Sequence, residues 1–167
     1  MFRLALALGA VAALSGCTVP VVGATGIGVD ASGRPVGYLA VCQEHIDGAT
    51  LYFDDPSKPI EQRSVDVGEW TADRPVTALA VWAMSDEDAG WTSAGPLPAL
   101  KPGRPYVMYG WTKDNSSSTT DVIFTVDQLQ ALERGKVLYF GGFDEKSHQD
   151  RYTTGTPEQF QAQACTA

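Results

Sequence analysis

The chain has 167 residues, 44% hydrophobic and 19% charged, with 20 acidic against 12 basic side chains for a net charge of −8. That length suits one domain with a substantial core, and the acidic balance argues against nucleic acid as a partner and against a body lying flat on anionic lipid. No repeat, low-complexity tract or interdomain linker divides the chain, and no stretch reaches the roughly 20 apolar residues of a membrane-spanning helix.

The first predicted element is an export signal. One positive residue, Arg3, precedes an apolar run over residues 4–14, and two small residues then lead to a cysteine. The tetrapeptide Leu14-Ser15-Gly16-Cys17 resembles the lipobox of bacterial lipoproteins, in which the cysteine is lipidated and becomes the mature N-terminus. The resemblance covers only this leading segment. It implies that residues 1–16 are a signal peptide and that Cys17 is the lipidation site. The protein would then sit on the extracytoplasmic face of the cell membrane, held there by its lipid anchor. A single acyl chain anchors only marginally, at about 0.8 kcal/mol per buried methylene, and a second makes the attachment stable. The competing reading is an ordinary signal peptide cut elsewhere, with Cys17 a plain thiol. Residues 17–26, short and uncharged, read as the lipidated terminus and a brief tether, leaving 27–167 as a single domain.

Short apolar runs separated by turn residues follow, the pattern of an all-β fold. Residues 27–30 and 36–42 flank Ala31-Ser32-Gly33-Arg34-Pro35, a hairpin by turn chemistry. A third strand is expected over 49–53 and a fourth over 62–67, where Val65 and Val67 share one face and Ser64 and Asp66 the other. Runs 76–84 and 106–111 are apolar on both faces and read as central strands. Residues 119–126 alternate again, and 137–140 close the series of about eight strands. Two short helices complete the set. Asp127 is expected to cap residues 128–134, with Gln130 at the capping-box position and Gly135 ending the helix. Thr156, followed by Pro157 and Gln159, opens a second helix that turns Phe160 and Ala164 toward the body.

Leu100-Lys101-Pro102-Gly103-Arg104-Pro105-Tyr106 resembles the Leu-x-Pro-x-x-x-Tyr corner of fibronectin type III and related immunoglobulin-like domains, where the tyrosine hydroxyl bonds back to the preceding loop. With the strand count, it favours a mainly β fold, an immunoglobulin-like antiparallel β-sandwich with two short helices, one at the C-terminus. Cys42 and Cys165 are the two cysteines left in the exported body, the number that pairs in an oxidising compartment. Closing so long a loop is worth up to about 5 kcal/mol in the chain-entropy model.

Few chemistries survive inspection. Gly90-Trp91-Thr92-Ser93-Ala94-Gly95 is one residue too long for a nucleophile elbow, and Pro96 blocks the helix that should follow. Gly26-Ile27-Gly28-Val29-Asp30-Ala31 fits a dinucleotide fingerprint only formally, because a turn follows it where a helix should begin. The acidic run 85–90 lacks the spacing of a calcium loop and reads as a solvated face. His45 and His148 have no companion at metal-binding spacing, so no metal or other cofactor is expected. Each lies near a segment that the cysteine pair would draw together, so they enter two alternatives: a metal site completed by Glu44 or Asp150, and an envelope hydrolase pairing one of them with a nearby carboxylate. Trp82 and Trp111 sit within apolar strands and read as core. Trp70 and Trp91 fall in polar connections, where an indole either folds over the core or presents its face to a ligand. The expectation is a non-enzymatic binding or structural role at the cell envelope, with Trp70 and Trp91 as ligand contacts and a cell-wall glycan or an envelope protein as partner.

Overall fold

The computed structural model describes residues 18–85 and 88–166; the expected signal segment and Cys17 lie outside them, as do Asp86 and Glu87 of the acidic run. The chain is mainly β. Its strands are β1 (Val21–Val29), β2 (Pro35–Val41), β3 (Ile46–Asp54), β4 (Ser64–Val76), β5 (Leu79–Ala83), β6 (Trp91–Ser93), β7 (Tyr106–Trp111), β8 (Ser118–Thr120), β9 (Val122–Phe124), β10 (Val137–Asp144) and β11 (Gln149–Gly155). The described residues also form two α-helices, α1 (Val126–Ala131) and α2 (Pro157–Ala164), with α2 at the C-terminal end, and a single 3-10 turn over Ile60–Gln62.

The eleven strands of the described residues join one hydrogen-bonded sheet, nearly closed and barrel-like, in the order β11-β10-β1-β8-β7-β3-β4-β6. β2 lies on the other edge of β1, β5 beyond β2, and β9 beside β7. β1 is the hub. It pairs antiparallel with β2 along its length and with β10 at Gly26–Gly28, whereas its first half runs parallel to β8, so the sheet is not wholly antiparallel.

This hub includes residues expected to be tether. Residues 22–26 are buried in β1, because their side chains are small or apolar and the backbones pack closely. A Cβ on Gly23 would fall 2.1 Å from the Ala40 carbonyl oxygen. Only residues 18–20 then separate Cys17 from the sheet.

The expected first hairpin forms, closed by Asp30, whose Oδ1 accepts the N–H groups of Ser32 at 2.7 Å and Arg34 at 2.9 Å. Those bonds, Arg34's first, hold the Asp30 carboxyl below the usual aspartate value. The Tyr106 hydroxyl bonds back to the preceding loop, with Lys101 N–H donating to Tyr106 Oη at 2.8 Å. α1 both starts and ends earlier than expected, closing at Ala131 with Leu132 as its C-cap and short of Gly135. Thr125 is its cap and exchanges hydrogen bonds with Gln128, while Asp127 lies in the first turn, where a carboxylate complements the helix dipole. α2 has the expected cap, with Thr156 and Gln159 forming the capping box.

The main core lies inside the curved sheet. Its centre is Trp82, which stacks on Trp91 with ring centroids 4.5 Å apart and leans on Trp70 at 6.1 Å. Gly37 makes room for it, since a Cβ there would sit 2.2 Å from the Trp82 ring. A second cluster forms on the other face of β1, β2 and β10, where Tyr38, Val137 and Tyr139 receive Phe160 from α2. The disulfide Cys42–Cys165 joins the end of β2 to the end of α2 across 123 positions and fixes that helix in place.

Candidate functional site

The structure relocates the indoles singled out in the sequence. Trp70 is 1% exposed and Trp91 9% exposed, both within the core around Trp82, so neither offers a ring face to solvent. The expected ligand contacts at these two residues are therefore corrected to core packing. The reason for Trp70 is a β-bulge. Leu51 pairs with Gly68 but Tyr52 with Asp66, leaving Val67 as an extra residue in β4. The alternation that turns Val65 and Val67 inward would send Trp70 outward. The inserted residue flips it, placing Trp70 and Ala72 inside and Glu69 outside. Trp91 is carried inward on β6, a short strand paired with β4 that the polar sequence around it concealed.

The histidines occupy different settings. His45 Nε2 lies 3.5 Å from Asp47 Oδ2 after β2, and His148 stacks on Phe143 in the β10–β11 turn. Among the described residues no group of three or more His, Cys, Asp or Glu side chains is placed to hold a metal ion. Asp88, the described acidic residue of the 85–90 run, accepts a hydrogen bond from Ala83 N–H at 2.7 Å.

A different surface gathers functional groups: the outer face of β3, β4 and β7. Period-two alternation turns Tyr106, Met108 and Gly110 of β7 inward and Val107, Tyr109 and Trp111 outward. Trp111, expected in the core, is thus half-buried on this outer face. Its indole lies across Gly48, where a Cβ would come within 2.4 Å of Cζ2, and its Nε1–H donates to Thr50 Oγ1 at 2.8 Å. Tyr52 and Tyr109 meet edge to face with centroids 6.0 Å apart. Across the ladder, Asp66 faces Tyr52, and Thr50 lies between Glu69 and Tyr109.

Two hollows run along this floor and share Asp66 and Tyr109. One, of about 520 Å³, is lined also by Tyr52, Thr120 and Asp121. The other, of about 510 Å³, is lined also by Glu69, Trp111, Asn115 and Ser117. Val21 stands at the first and Val19 at the second, so the groove adjoins the chain's entry into the sheet. Among the described residues no Lys, Arg or His lines either hollow. The carboxylates of Asp66 and Glu69 have no hydrogen-bond or ion-pair partner among the described residues.

Burial pushes the Asp121 carboxyl above the usual aspartate value, and the charge of Asp150 adds to the rise against an opposing backbone hydrogen bond. Burial likewise raises the phenols of Tyr52 and Tyr109, helped by Asp121 for the first and Asp66 for the second. Tyr152 nearby is pushed up to about 12 by burial and then by Asp121 and Asp150. The phenols therefore keep their protons at any physiological pH. The groove offers aromatic surface, neutral O–H groups and unengaged carboxylate acceptors, a set suited to recognition. Sequence reasoning missed it because the groups come from three strands. The outward alternation of Val107, Tyr109 and Trp111 was its one local trace.

No family model, curated protein or solved structure matches the chain. Among the described residues no helix is long and apolar enough to cross a membrane.

Proposed function

We propose that the chain is a bacterial lipoprotein, anchored through Cys17 on the extracytoplasmic face of the cell membrane, with a binding rather than catalytic role at the cell envelope. The observation that carries the binding role is the groove of Tyr52, Asp66, Glu69, Tyr109 and Trp111, with its unpaired carboxylates over an aromatic floor. The lipobox sequence supports the anchor, and the Cys42–Cys165 bond accords with an oxidising compartment. The tyrosine corner supports an immunoglobulin-like sandwich as the finer description of the fold.

The geometry adds a constraint to this reading. Three residues span at most about 11 Å when extended, so a domain anchored at Cys17 rides close against the bilayer with the groove beside its anchor. A partner then has to be reached at the membrane surface.

The anchor is tested by Cys17→Ser in the native host. The expected result is release from the membrane fraction and loss of the lipid-sized mass on the N-terminal peptide. Retention of the serine variant in the membrane with no such mass on the wild type overturns the anchor.

A further inference from the structure

We propose that the groove on the outer face of β3, β4 and β7 binds a glycan carrying free, protonated amines, such as a glucosamine-type polymer. The proposal rests on the reading of this groove as the binding site and names the ligand class.

Three features together select that class. The floor is aromatic, with Tyr52 and Tyr109 packed edge to face and Trp111 lying across Gly48. The CH-rich face of a pyranose ring stacks on such a surface. Trp111 is held in place by its hydrogen bond to Thr50, so little side-chain freedom is lost when a ring settles on it.

The charge is one-sided. Among the described residues, Asp66 and Glu69 present carboxylates with no partner, Asp121 adds a third, and no basic side chain lines the groove. A neutral sugar would leave these acceptors without charge-assisted bonds, and an anionic one would be repelled. An ammonium group fits both the hydrogen-bonding and the electrostatic demand. The rim is neutral and polar, with Asn115, Ser117, Ser118 and Thr120 around the same hollows. Amide and hydroxyl groups at this density suit a polyhydroxylated ligand, which presents a donor and acceptor at nearly every ring carbon, and a lysine peptide tests the other cationic class.

The test uses the full chain in detergent micelles, titrated with a short glucosamine oligomer and with the N-acetylated oligomer of the same length. The free-amine oligomer is expected to bind at least about tenfold tighter, a difference of about 1.4 kcal/mol, and its affinity is expected to fall as salt is added. Asp66→Asn with Glu69→Gln, both exposed positions that leave the core untouched, is expected to erase that preference. Trp111→Phe is expected to weaken both oligomers. Equal or tighter binding of the acetylated oligomer overturns the proposal, as does tighter binding of a lysine peptide of equal charge.

If neither oligomer binds, the proposed ligand class falls, and recovery from native envelope then judges the groove itself. A partner kept by wild type and lost when Asp66→Asn, Glu69→Gln and Trp111→Phe are combined leaves the groove standing as a site. Equal recovery by both removes the groove as well.

Discussion

Trp82 is the residue on which most of the interior leans. It is fully buried between Trp70 and Trp91, and its Nε1 has no hydrogen-bond partner among the described residues, so removing it costs packing rather than a hydrogen bond. Trp82→Ala should destabilise the fold by about 3–5 kcal/mol, read from the urea midpoint at unchanged disulfide. Asp121 works in the opposite sense. Its carboxyl is raised in the folded state, so between the ordinary value of 3.8 and the folded value the folded chain holds more protons than the unfolded one. Stability therefore falls as pH rises through that window, and the deficit is complete above it. Asp121→Asn removes the deficit, so the variant should melt higher than wild type at neutral pH. The gap should close as pH drops below 3.8, and a thermal series across pH checks both halves. The same residue scale shows what a sequence hides: Trp70 lies inside and Trp111 on the outer face, the reverse of the expectation from their neighbours.

At the scale of elements, α2 and β4 make contrasting cases. α2 is short, and its start is written in Thr156, Pro157 and Gln159, all local signals. Its place is set by Phe160, which packs on Tyr38 and Tyr139, and by the bond from Cys165 to Cys42. Replacing both cysteines by serine should cost about 2–5 kcal/mol and expose the α2 amides to hydrogen exchange before those of β1. Chemical denaturation with exchange mass spectrometry reads both, and unchanged α2 protection would assign its docking to Phe160 alone. β4 has no such local signature. Its bulge depends on what β3 offers across the ladder, so the switch of face after Val67 is a property of the pair. The strands at 91–93 and 149–155 went unexpected for a related reason: each borrows its pairing from a neighbour, β4 or β10, in spite of a polar sequence.

For the molecule as a whole, β1 decides whether the sheet exists. It touches β2, β8 and β10, joining one half of the sheet to the other. Deleting residues 21–26 would be harmless if they were a tether. As the first half of the hub strand, their loss should abolish the cooperative unfolding transition and the near-ultraviolet signal of the packed tryptophans. Retention of both would return these residues to the tether.

The sequence by itself determined the β class, the turn at Asp30, the corner at Tyr106, the cap at Thr156 and the pairing of Cys42 with Cys165. Turns and caps depend on a few adjacent groups, and with Cys17 set aside as the proposed lipidation site two cysteines allow one internal pair. Tertiary structure alone decided that eleven strands form one nearly closed sheet, that residues 21–26 belong to it, and that Tyr52, Asp66 and Trp111 share a groove. Those outcomes depend on register between strands distant in the chain. A single inserted residue reverses which side chains face the core, and local propensity holds no record of it.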